Sequence, residues 1–248
     1  MNAEPIVSLA PSATATIAAM DLTDRLAGVT THCSIDAETA DVTRVGGWLT
    51  PSYDRIRDID PAVVCTSDEL QREIRDELCD RGYDVVHQEP ARLDDVTDGF
   101  EALGGAIGEA DAGTQLARES RKRLDAVETR VAGRERPVVY CEEWSDPPMA
   151  AGNWVPDAVR AAGGRYPFVS PGERSREVQQ SAVEKADPDH AVLHVCGHGD
   201  RVSPDRIANR AWDVDPDIHV VDDSLLNQPS PRLLDGIELL SERLHPQD

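Results

Sequence analysis

Three cysteines and two histidines lie where short apolar runs of the sequence end. Cys33, Cys141 and Cys196 each follow such a run, and His32 and His198 stand one and two residues from a cysteine. Thiolate and imidazole groups together suit zinc, copper(I), or the iron or cobalt of a bound cofactor. One prediction is therefore a metal site built from Cys33, Cys141, Cys196 and His198. The alternative is that each cysteine is a small buried core residue, a common environment for this residue type.

Tryptophans in glycine-containing loops could contact a flat organic ligand. Trp48 follows Gly46-Gly47, and Trp154 follows Gly152-Asn153. Such a tryptophan can form the wall of a pocket for a large planar ligand, or it can pack its loop onto a sheet, and both interpretations stay open. Together with residues that follow predicted strands, the predicted ligand contacts are Ser12, His32, Trp48, Thr66, Glu143, Trp144, Asn153, Trp154 and Gly197.

Motifs for covalent catalysis are missing from the sequence. It contains no nucleophile elbow, no phosphate-binding Walker loop and no HExxH zinc helix. Glu142 and Glu143 could do acid–base work or bind a metal, but adjacent residues on a strand point to opposite faces, so at most one should face a ligand. No catalytic residue is predicted, and we do not expect the protein to be an enzyme.

Short apolar runs alternate with helix-like stretches along the chain, which is typical of a parallel α/β fold. In open sheets of this kind, ligands bind beyond the carboxyl ends of the strands, which is where the residues above are placed. The predicted strands are Ile6–Leu9, Leu26–Thr30, Ala62–Cys65 and Asp84–His87 in the first half, and Pro137–Cys141, Tyr166–Val169, Ala191–Cys196 and Ile218–Val221 in the second.

A long helical segment is predicted between the two halves, in two pieces at Asp94–Ala106 and Ala110–Val131. In the second piece apolar residues recur at intervals of three and four, as on one face of a helix. At about 1.5 Å per residue that piece would span roughly 33 Å, a length that suits a strut. We therefore predict two Rossmann-like α/β lobes joined by one long backbone helix, with a ligand cleft between the lobes. The predicted domains are residues 1–92 and 134–248, with the connecting helical segment at 93–133.

The composition is strongly acidic. The chain has 248 residues, with 25 Lys and Arg against 47 Asp and Glu, which gives a formal net charge of −22. Nucleic acid is therefore not an expected partner, because phosphate neutralisation needs an excess of basic residues. The acidic residues are spread along the chain and there are only two lysines, Lys122 and Lys185. This pattern favours the solvated surface of a halophile's protein, although steering of a cationic ligand stays open.

The sequence contains no apolar run long enough to span a membrane. Its first residues lack the basic region and long apolar region of an export signal. We therefore expect a cytoplasmic protein as the sequence is written, or an extracytoplasmic one if an export signal has been removed. The five cysteines are expected to be free thiols or ligands, because a reducing cytosol disfavours disulfides.

Several short motifs follow one another in a recognisable order. Those in the first half are Ile6-Val7-Ser8-Leu9-Ala10-Pro11-Ser12-Ala13-Thr14, Gly28-Val29-Thr30, Val45-Gly46-Gly47 and Asp60-Pro61-Ala62-Val63-Val64. Those in the second half are Cys141-Glu142-Glu143-Trp144-Ser145-Asp146-Pro147, Gly152-Asn153-Trp154-Val155-Pro156-Asp157, Ala162-Gly163-Gly164, Asp187-Pro188-Asp189, Cys196-Gly197 and Pro231-Arg232-Leu233-Leu234-Asp235-Gly236. This order resembles the helical-backbone metal receptors, the class III substrate-binding proteins of ABC importers, and the second half resembles their cobalamin-binding branch.

The resemblance implies two lobes with little closing motion and the capture of a corrinoid such as cobalamin, or a related metal chelate, without covalent chemistry. It also implies delivery to an ABC permease. Family members that dock on a permease usually have an exposed glutamate on each lobe, and near those places this chain has Arg72 beside Glu73 and Ser181 beside Glu184. A further departure is Ala15, where the family often has an acidic residue.

Two other functions stay open. A cytosolic protein could bind a bare metal ion or haem through the thiol and imidazole residues that define the predicted metal site, with His32 added. A tetrapyrrole metal chelatase would instead use His87 or His198 with a carboxylate as the base.

Overall fold

Strands and helices alternate along the chain, as the pattern of apolar residues predicts. The computed structural model describes residues 4–35 and 42–246. The strands are β1 (Ile6–Ser8), β2 (Leu26–Val29), β3 (Thr43–Arg44), β4 (Val63–Ser67), β5 (Val85–Gln88), β6 (Val139–Ser145), β7 (Pro148–Ala150), β8 (Arg176–Glu177), β9 (His190–Leu193) and β10 (Asp217–Val220). The helices are α1 (Pro11–Ala19), α2 (Tyr53–Ile59), α3 (Arg72–Asp80), α4 (Leu93–Ala106), α5 (Ala110–Val131), α6 (Val155–Ala161), α7 (Gln180–Ala186), α8 (Asp205–Ala208) and α9 (Arg232–Leu244).

The chain divides into two compact units. The first comprises Met1–Pro90 and Thr97–Glu119, and the second comprises Ala91–Val96 and Ser120–Asp248. Helix α5 begins in the first unit and ends in the second, and its bounds are those that the apolar periodicity predicts. The predicted division into two α/β lobes is confirmed.

No helix among the described residues is both long and apolar enough to cross a membrane. Residues 1–3, on which the prediction about an export signal partly depends, lie outside the described residues.

The first unit is built on a parallel sheet with the strand order β3-β2-β1-β4-β5. The side chains of successive residues of β1 lie on opposite faces of this sheet. Ile6 packs with residues of α1 and α4 such as Leu103, whereas Val7 packs with Ile56 of α2 and Leu78 of α3. Helices thus cover both faces, which is why β1 and β4 are buried along their whole length. The parallel arrangement brings the loops after the strands to one edge.

The second unit has a mixed sheet with the order β10-β9-β6-β7-β8. Strands β6, β9 and β10 are parallel, whereas β7 is antiparallel to both β6 and β8. In one core cluster Tyr140 packs with Leu193, with Val183 of α7 and with Ile207 of α8. The pairing of β6 with β9 ends at Glu142, and beyond it Trp144 and Ser145 pair with β7.

The predicted strand Tyr166–Val169 is wrong, whereas the other predicted strands form with shifted ends. At that place only Arg165 forms an isolated bridge, to Val138. Pro167 has no N–H to donate to a strand ladder, and the chain continues as a loop whose Phe168 packs into the core. The sequence does not predict β3, β7 or β8, because strands of two or three residues show no alternation that could be detected.

Candidate functional site

A buried glutamine ties together three segments at the carboxyl edge of the first sheet. Gln71 has no exposed surface, and its amide nitrogen donates hydrogen bonds to the carbonyl oxygens of Leu9 at 3.1 Å and Trp48 at 2.7 Å. Its amide oxygen accepts a 2.8 Å hydrogen bond from the backbone N–H of Ser67. The loops after β1 and β3 and the end of β4 are thereby held in one arrangement.

Hydroxyl groups surround the sulfur of Cys33 under this edge. Thr30 Oγ1 and Cys33 Sγ are hydrogen-bonded at 3.2 Å, and the thiol also donates to the carbonyl oxygen of Ser8 at 3.9 Å. Thr14 Oγ1 donates to Ser8 Oγ at 2.8 Å. Arg44 holds the same loop by donating to the carbonyl oxygens of Thr30 at 2.7 Å and Cys33 at 2.8 Å. Because Cys33 is buried, its thiol belongs to the core.

Trp48 lies in a tight turn whose backbone conformation favours glycine at position 46. Gly46 has φ +111°, and a Cβ atom there would lie 2.6 Å from the carbonyl oxygen of Thr50. The turn leaves Trp48 half-buried and Leu49 exposed. The backbone N–H of Trp48 donates to Nδ1 of His32 at 3.4 Å, and His32 is itself exposed. The structure thus brings together two of the predicted ligand contacts of this unit.

The other predicted contacts of the first unit, Ser12 and Thr66, are buried. Thr66 Oγ1 is hydrogen-bonded to His87 Nδ1 at 2.8 Å, and His87 Nε2 to Glu89 Oε1 at 2.7 Å. A hydroxyl, an imidazole and a carboxylate in this order can form an activated nucleophile, but Thr66 is only 1% exposed, which keeps a substrate away from its hydroxyl. The hydrogen bond from Arg72, together with that from His87, lowers the pKa of Glu89 to about 2.

In the second unit an arginine neutralises a carboxylate that has no exposed surface. Arg210 donates to both oxygens of Glu142, through Nη1 to Oε2 and at 3.0 Å through Nη2 to Oε1. Tyr140 and Ser145 donate further hydrogen bonds of 2.8 and 2.7 Å, and the Arg210 guanidinium lies 4.5 Å from the Trp212 ring centroid. Burial and then the charge of Glu142 raise the pKa of Tyr140. Both carboxylate oxygens of Glu142 are engaged within the protein.

Glu143 and Trp144 lie on the end of β6 that pairs with β7. The Trp144 side chain is 47% exposed, and its Nε1–H donates to the carbonyl oxygen of Asp146 at 2.9 Å, which orients the ring. Burial raises the pKa of Glu143, whereas a hydrogen bond from Ser175 lowers it. Of the two adjacent glutamates, Glu142 is fully buried and Glu143 is partly accessible, as the alternation along a strand predicts.

Asn227 organises the loop that follows β9. Its amide nitrogen donates to the carbonyl oxygen of His194 at 2.9 Å and to Cys196 Sγ at 3.4 Å, and its amide oxygen accepts a hydrogen bond from His194 Nδ1. Burial lowers the pKa of His194 to about 4. Asp223 accepts a 2.6 Å hydrogen bond from the backbone N–H of Gly197. Cys196 and Gly197 are thus exposed but held in position.

The side chain of Trp154 is buried in the hydrophobic core. It is only 8% exposed, and its Nε1–H donates to the carbonyl oxygen of Leu226 at 2.8 Å. Asn153, which precedes it, is half-buried and has φ +52°, a left-handed conformation that asparagine tolerates. Of the two interpretations given for Trp48 and Trp154, packing of the loop describes Trp154, whereas Trp48 is half-buried and both stay open for it.

The predicted metal residues show no arrangement for a metal ion. Among residues 4–35 and 42–246, no group of three or more His, Cys, Asp or Glu side chains could hold one. Cys141 has no exposed surface, and burial raises the pKa of its thiol. His198 Nδ1 donates to the carbonyl oxygen of Cys196 at 3.0 Å. The described cysteines are all free thiols, as expected, and the structure gives the metal-site prediction no support.

Three residues that organise these edges, Gln71, Arg210 and Asn227, are missing from the sequence predictions. Their partners lie far away in the sequence: Gln71 bonds to Leu9 across 62 positions and Arg210 to Glu142 across 68. No motif marks such a residue. The available signal was indirect, since a buried carboxylate such as Glu142 requires a cationic partner, but the sequence does not say which arginine supplies it.

The sequence profile of the family described as "Periplasmic binding protein" matches residues 6–230 of the chain. A curated relative, the vitamin B12-binding protein of Vibrio cholerae, is 26% identical over 256 residues, covering 95% of this chain and 87% of the relative. A second, the uncharacterized ABC transporter substrate-binding lipoprotein YvrC of Bacillus subtilis, is 25% identical over 266 residues and covers 97% of this chain and 80% of the relative.

Among solved structures, the periplasmic heme-binding protein RhuT from Roseiflexus sp. RS-1 is similar to this chain with a TM-score of 0.82. The match covers 98% of each chain at 20% sequence identity. Similarity at that identity shows that the two proteins share a fold.

Proposed function

The chain belongs to the periplasmic binding protein family, and from that membership we propose that it binds a corrinoid such as cobalamin and passes it to the permease of an ABC importer. The vitamin B12-binding relative is matched along nearly the whole chain, which favours a corrinoid as the ligand. Binding alone is proposed, because the relatives matched along nearly the whole chain are named as binding proteins.

The observation that contributes most is the exposed, oriented ring of Trp144. An exposed indole ring suits contact with the flat face of a macrocycle. The hydrogen bond from Nε1 to the carbonyl oxygen of Asp146 restricts the ring before a ligand arrives, which reduces the entropy lost on binding. Trp154, whose indole is buried, is not proposed as a ligand contact.

Polar groups near Trp144 suit the amide side chains of a corrin. Glu143 accepts hydrogen bonds, and burial raises its pKa, so that it is more readily protonated than an ordinary glutamate. Cys196 and Gly197 offer exposed positions in a loop fixed by Asn227 and Asp223. In the first unit, the exposed His32 accepts a hydrogen bond from the backbone N–H of the half-buried Trp48, which places these two residues side by side.

A membrane permease is the proposed partner, and the extracytoplasmic side of the membrane is the proposed location. The relative YvrC is named as an ABC transporter substrate-binding lipoprotein. Of the two glutamates near the expected docking places, Glu73 is exposed on α3. Glu184 instead accepts hydrogen bonds from Gln180 at 2.7 Å and from the backbone of Asp213 at 3.0 Å. Glu73 is therefore the better candidate for docking.

Haem is the alternative ligand. The observation in its favour is the presence of exposed or half-buried axial-ligand types, namely Cys196 and His198 in the second unit and His32 in the first. Thiolate and imidazole both ligate haem iron. The chelatase alternative is not proposed, because the relatives matched along nearly the whole chain are named as binding proteins. Of its two candidate bases, His87 has both ring nitrogens hydrogen-bonded, and His198 donates through Nδ1 to the carbonyl oxygen of Cys196.

Isothermal titration with cyanocobalamin and, separately, with hemin tests the proposal. We expect saturable binding of cyanocobalamin, and Trp144→Ala should weaken it by about 2 kcal/mol, or roughly thirtyfold in Kd, as expected for an aromatic anchor. Trp154→Phe is the matched control, and it should lower the thermal stability while leaving the affinity of the folded protein unchanged. Binding of hemin alone would select the haem alternative, and no binding of either would refute both.

A further inference from the structure

A pocket of about 310 Å³ lies in the second unit, at the carboxyl-terminal ends of α5 and α9. His245, which follows α9, packs against Gly163, and a Cβ atom on the next residue, Gly164, would lie 2.9 Å from Val139 at the start of β6. The pocket is therefore at the amino-terminal edge of the second sheet, opposite the edge that bears Trp144 and Cys196. The residues that line it are Arg130, Val131, Arg134, Ser241, Glu242 and His245.

The pocket contains hydrogen-bonding groups that the protein uses incompletely. His245 Nε2 is buried and has no hydrogen-bond partner within residues 4–35 and 42–246. A Cβ atom on Gly163 would lie 2.4 Å from this nitrogen, so glycine makes room for the ring. Arg130 lies 3.9 Å from Glu242, too far for a hydrogen bond. Arg134 donates a 3.3 Å hydrogen bond to the carbonyl oxygen of His245.

The charge of the lining favours an anion. Two guanidinium groups face one carboxylate, that of Glu242, whose side chain is 66% exposed and free to turn into solvent. The ends of α5 and α9 contribute partial negative charge, which Arg134 reduces by binding the carbonyl oxygen of His245. Burial, and then the positive charge of Arg134, lowers the pKa of His245.

We propose that this pocket binds a phosphate group, either free or attached to a small organic molecule. Arg130 and Arg134 supply charge-assisted hydrogen bonds to its oxygens, as guanidinium groups do at phosphate sites. His245, whose carbonyl oxygen Arg134 binds, forms part of the pocket wall. The volume is at the lower end for small-molecule sites and leaves room beside a bare phosphate ion. In the empty pocket Arg130 forms a long ion pair with Glu242, and Glu242 therefore competes with an incoming ligand for this guanidinium group.

The test is a calorimetric titration of the full chain with inorganic phosphate and, separately, with glycerol 3-phosphate, at constant ionic strength. We expect saturable binding of at least one of them. Arg130→Gln should weaken it about tenfold, and Glu242→Gln should tighten it, since a competitor for the guanidinium is removed. Arg118→Gln is the control, because Arg118 is exposed on the same helix in the first unit, and it should leave the affinity unchanged.

A second measurement follows the imidazole of His245 by NMR. Phosphate in the pocket should raise the pKa of His245, and Arg130→Gln should reduce that rise. The proposal is overturned if neither phosphate compound binds, if Arg118→Gln weakens binding as much as Arg130→Gln does, or if the His245 signals ignore the ligand. A difference between the two titrations shows whether the phosphate group is bound free or attached.

Discussion

At the carboxyl edge of the first sheet the fully buried polar groups are neutral, whereas in the second unit they include charged groups. The side chains of Gln71 and Ser8 are hydrogen-bonded to the backbone, and the hydroxyl of Thr30 to the thiol of Cys33. The second unit instead buries the carboxylates of Glu142 and Asp157 and pairs them with arginines. It also buries the imidazole of His194.

Neutral and charged buried groups differ in how much their loss destabilises the protein. A neutral hydrogen bond contributes about 1 kcal/mol and does not depend on pH. A buried ion pair contributes little net stability, but removing one partner strands a charge in the core and costs several times more. The second unit should therefore respond more strongly than the carboxyl edge of the first sheet to single substitutions of charge, and to a fall in pH from 7 to 4.5.

The largest effect is expected from Arg210→Gln. It leaves the fully buried Glu142 without its cation and should lower the free energy of unfolding by about 3–5 kcal/mol, measured by urea denaturation at neutral pH. Arg57→Gln is the control, since Arg57 forms exposed ion pairs with Asp54 and Asp58, and it should change stability little. If the two variants lose equal amounts of unfolding free energy, the buried ion pair of the second unit is no more sensitive than an exposed pair of the first.

Acid should destabilise the second unit through His194. Its folded pKa of about 4 lies below the unfolded value of about 6.5, so the unfolded chain binds more protons between these limits. The contribution is complete above pH 6.5 and is lost as the pH falls toward 4, by up to about 3 kcal/mol. The pKa values of His219 and His245, in the same unit, are also lowered, mainly by burial.

Hydrogen-exchange mass spectrometry, corrected for intrinsic exchange rates, measures the pH dependence of stability for each unit separately. Protection should fall in the second unit before the first as the pH is lowered from 7 to 4.5 at fixed temperature. His194→Gln should flatten that dependence. Simultaneous loss of protection in both units, with no change in the variant, would contradict the assignment to His194.

Gln71→Ala should produce the largest effect in the first unit. The variant leaves two carbonyl oxygens and one N–H without partners and should cost about 2–3 kcal/mol in urea denaturation, with the same loss at pH 5 and pH 7. Gln115→Ala removes an exposed amide that bonds to Glu119 and serves as the control. If the loss of unfolding free energy is larger at pH 5 than at pH 7, the stability of this edge of the first sheet also depends on charged groups.

The smallest effects should be equal in the two units. Thr14→Val removes a hydroxyl that donates to Ser8 in the first unit, and Tyr166→Phe removes one that donates to the carbonyl oxygen of Ala151 in the second. Each should cost about 1 kcal/mol, because both bonds are neutral. Thermal unfolding measures the loss of stability in both variants. A much larger loss for Tyr166→Phe would mean that the two units differ in more than the charge of their buried groups.

Much of the fold could be predicted, because helix and strand periodicities are local properties of the sequence. The bounds of α5 follow from apolar residues repeated every three and four positions, and β1 and β4 from short apolar runs. The strand predicted at Tyr166–Val169 shows the limit of this reasoning, since one proline cancels an otherwise suitable run. The candidate site was less predictable, because exposure is not a local property.

The order of elements, the two-lobed α/β architecture and the placement of polar residues after strands were determined by the sequence itself, through patterns that span fewer than about 20 residues. The exposure of Trp144, the burial of Trp154 and the neutralisation of Glu142 rather than Glu143 in the core follow from long-range contacts of the folded chain. The carbonyl oxygen of Leu226 lies 72 positions from Trp154, and Arg210 lies 68 from Glu142. Contacts over such distances exist only once the whole unit has folded.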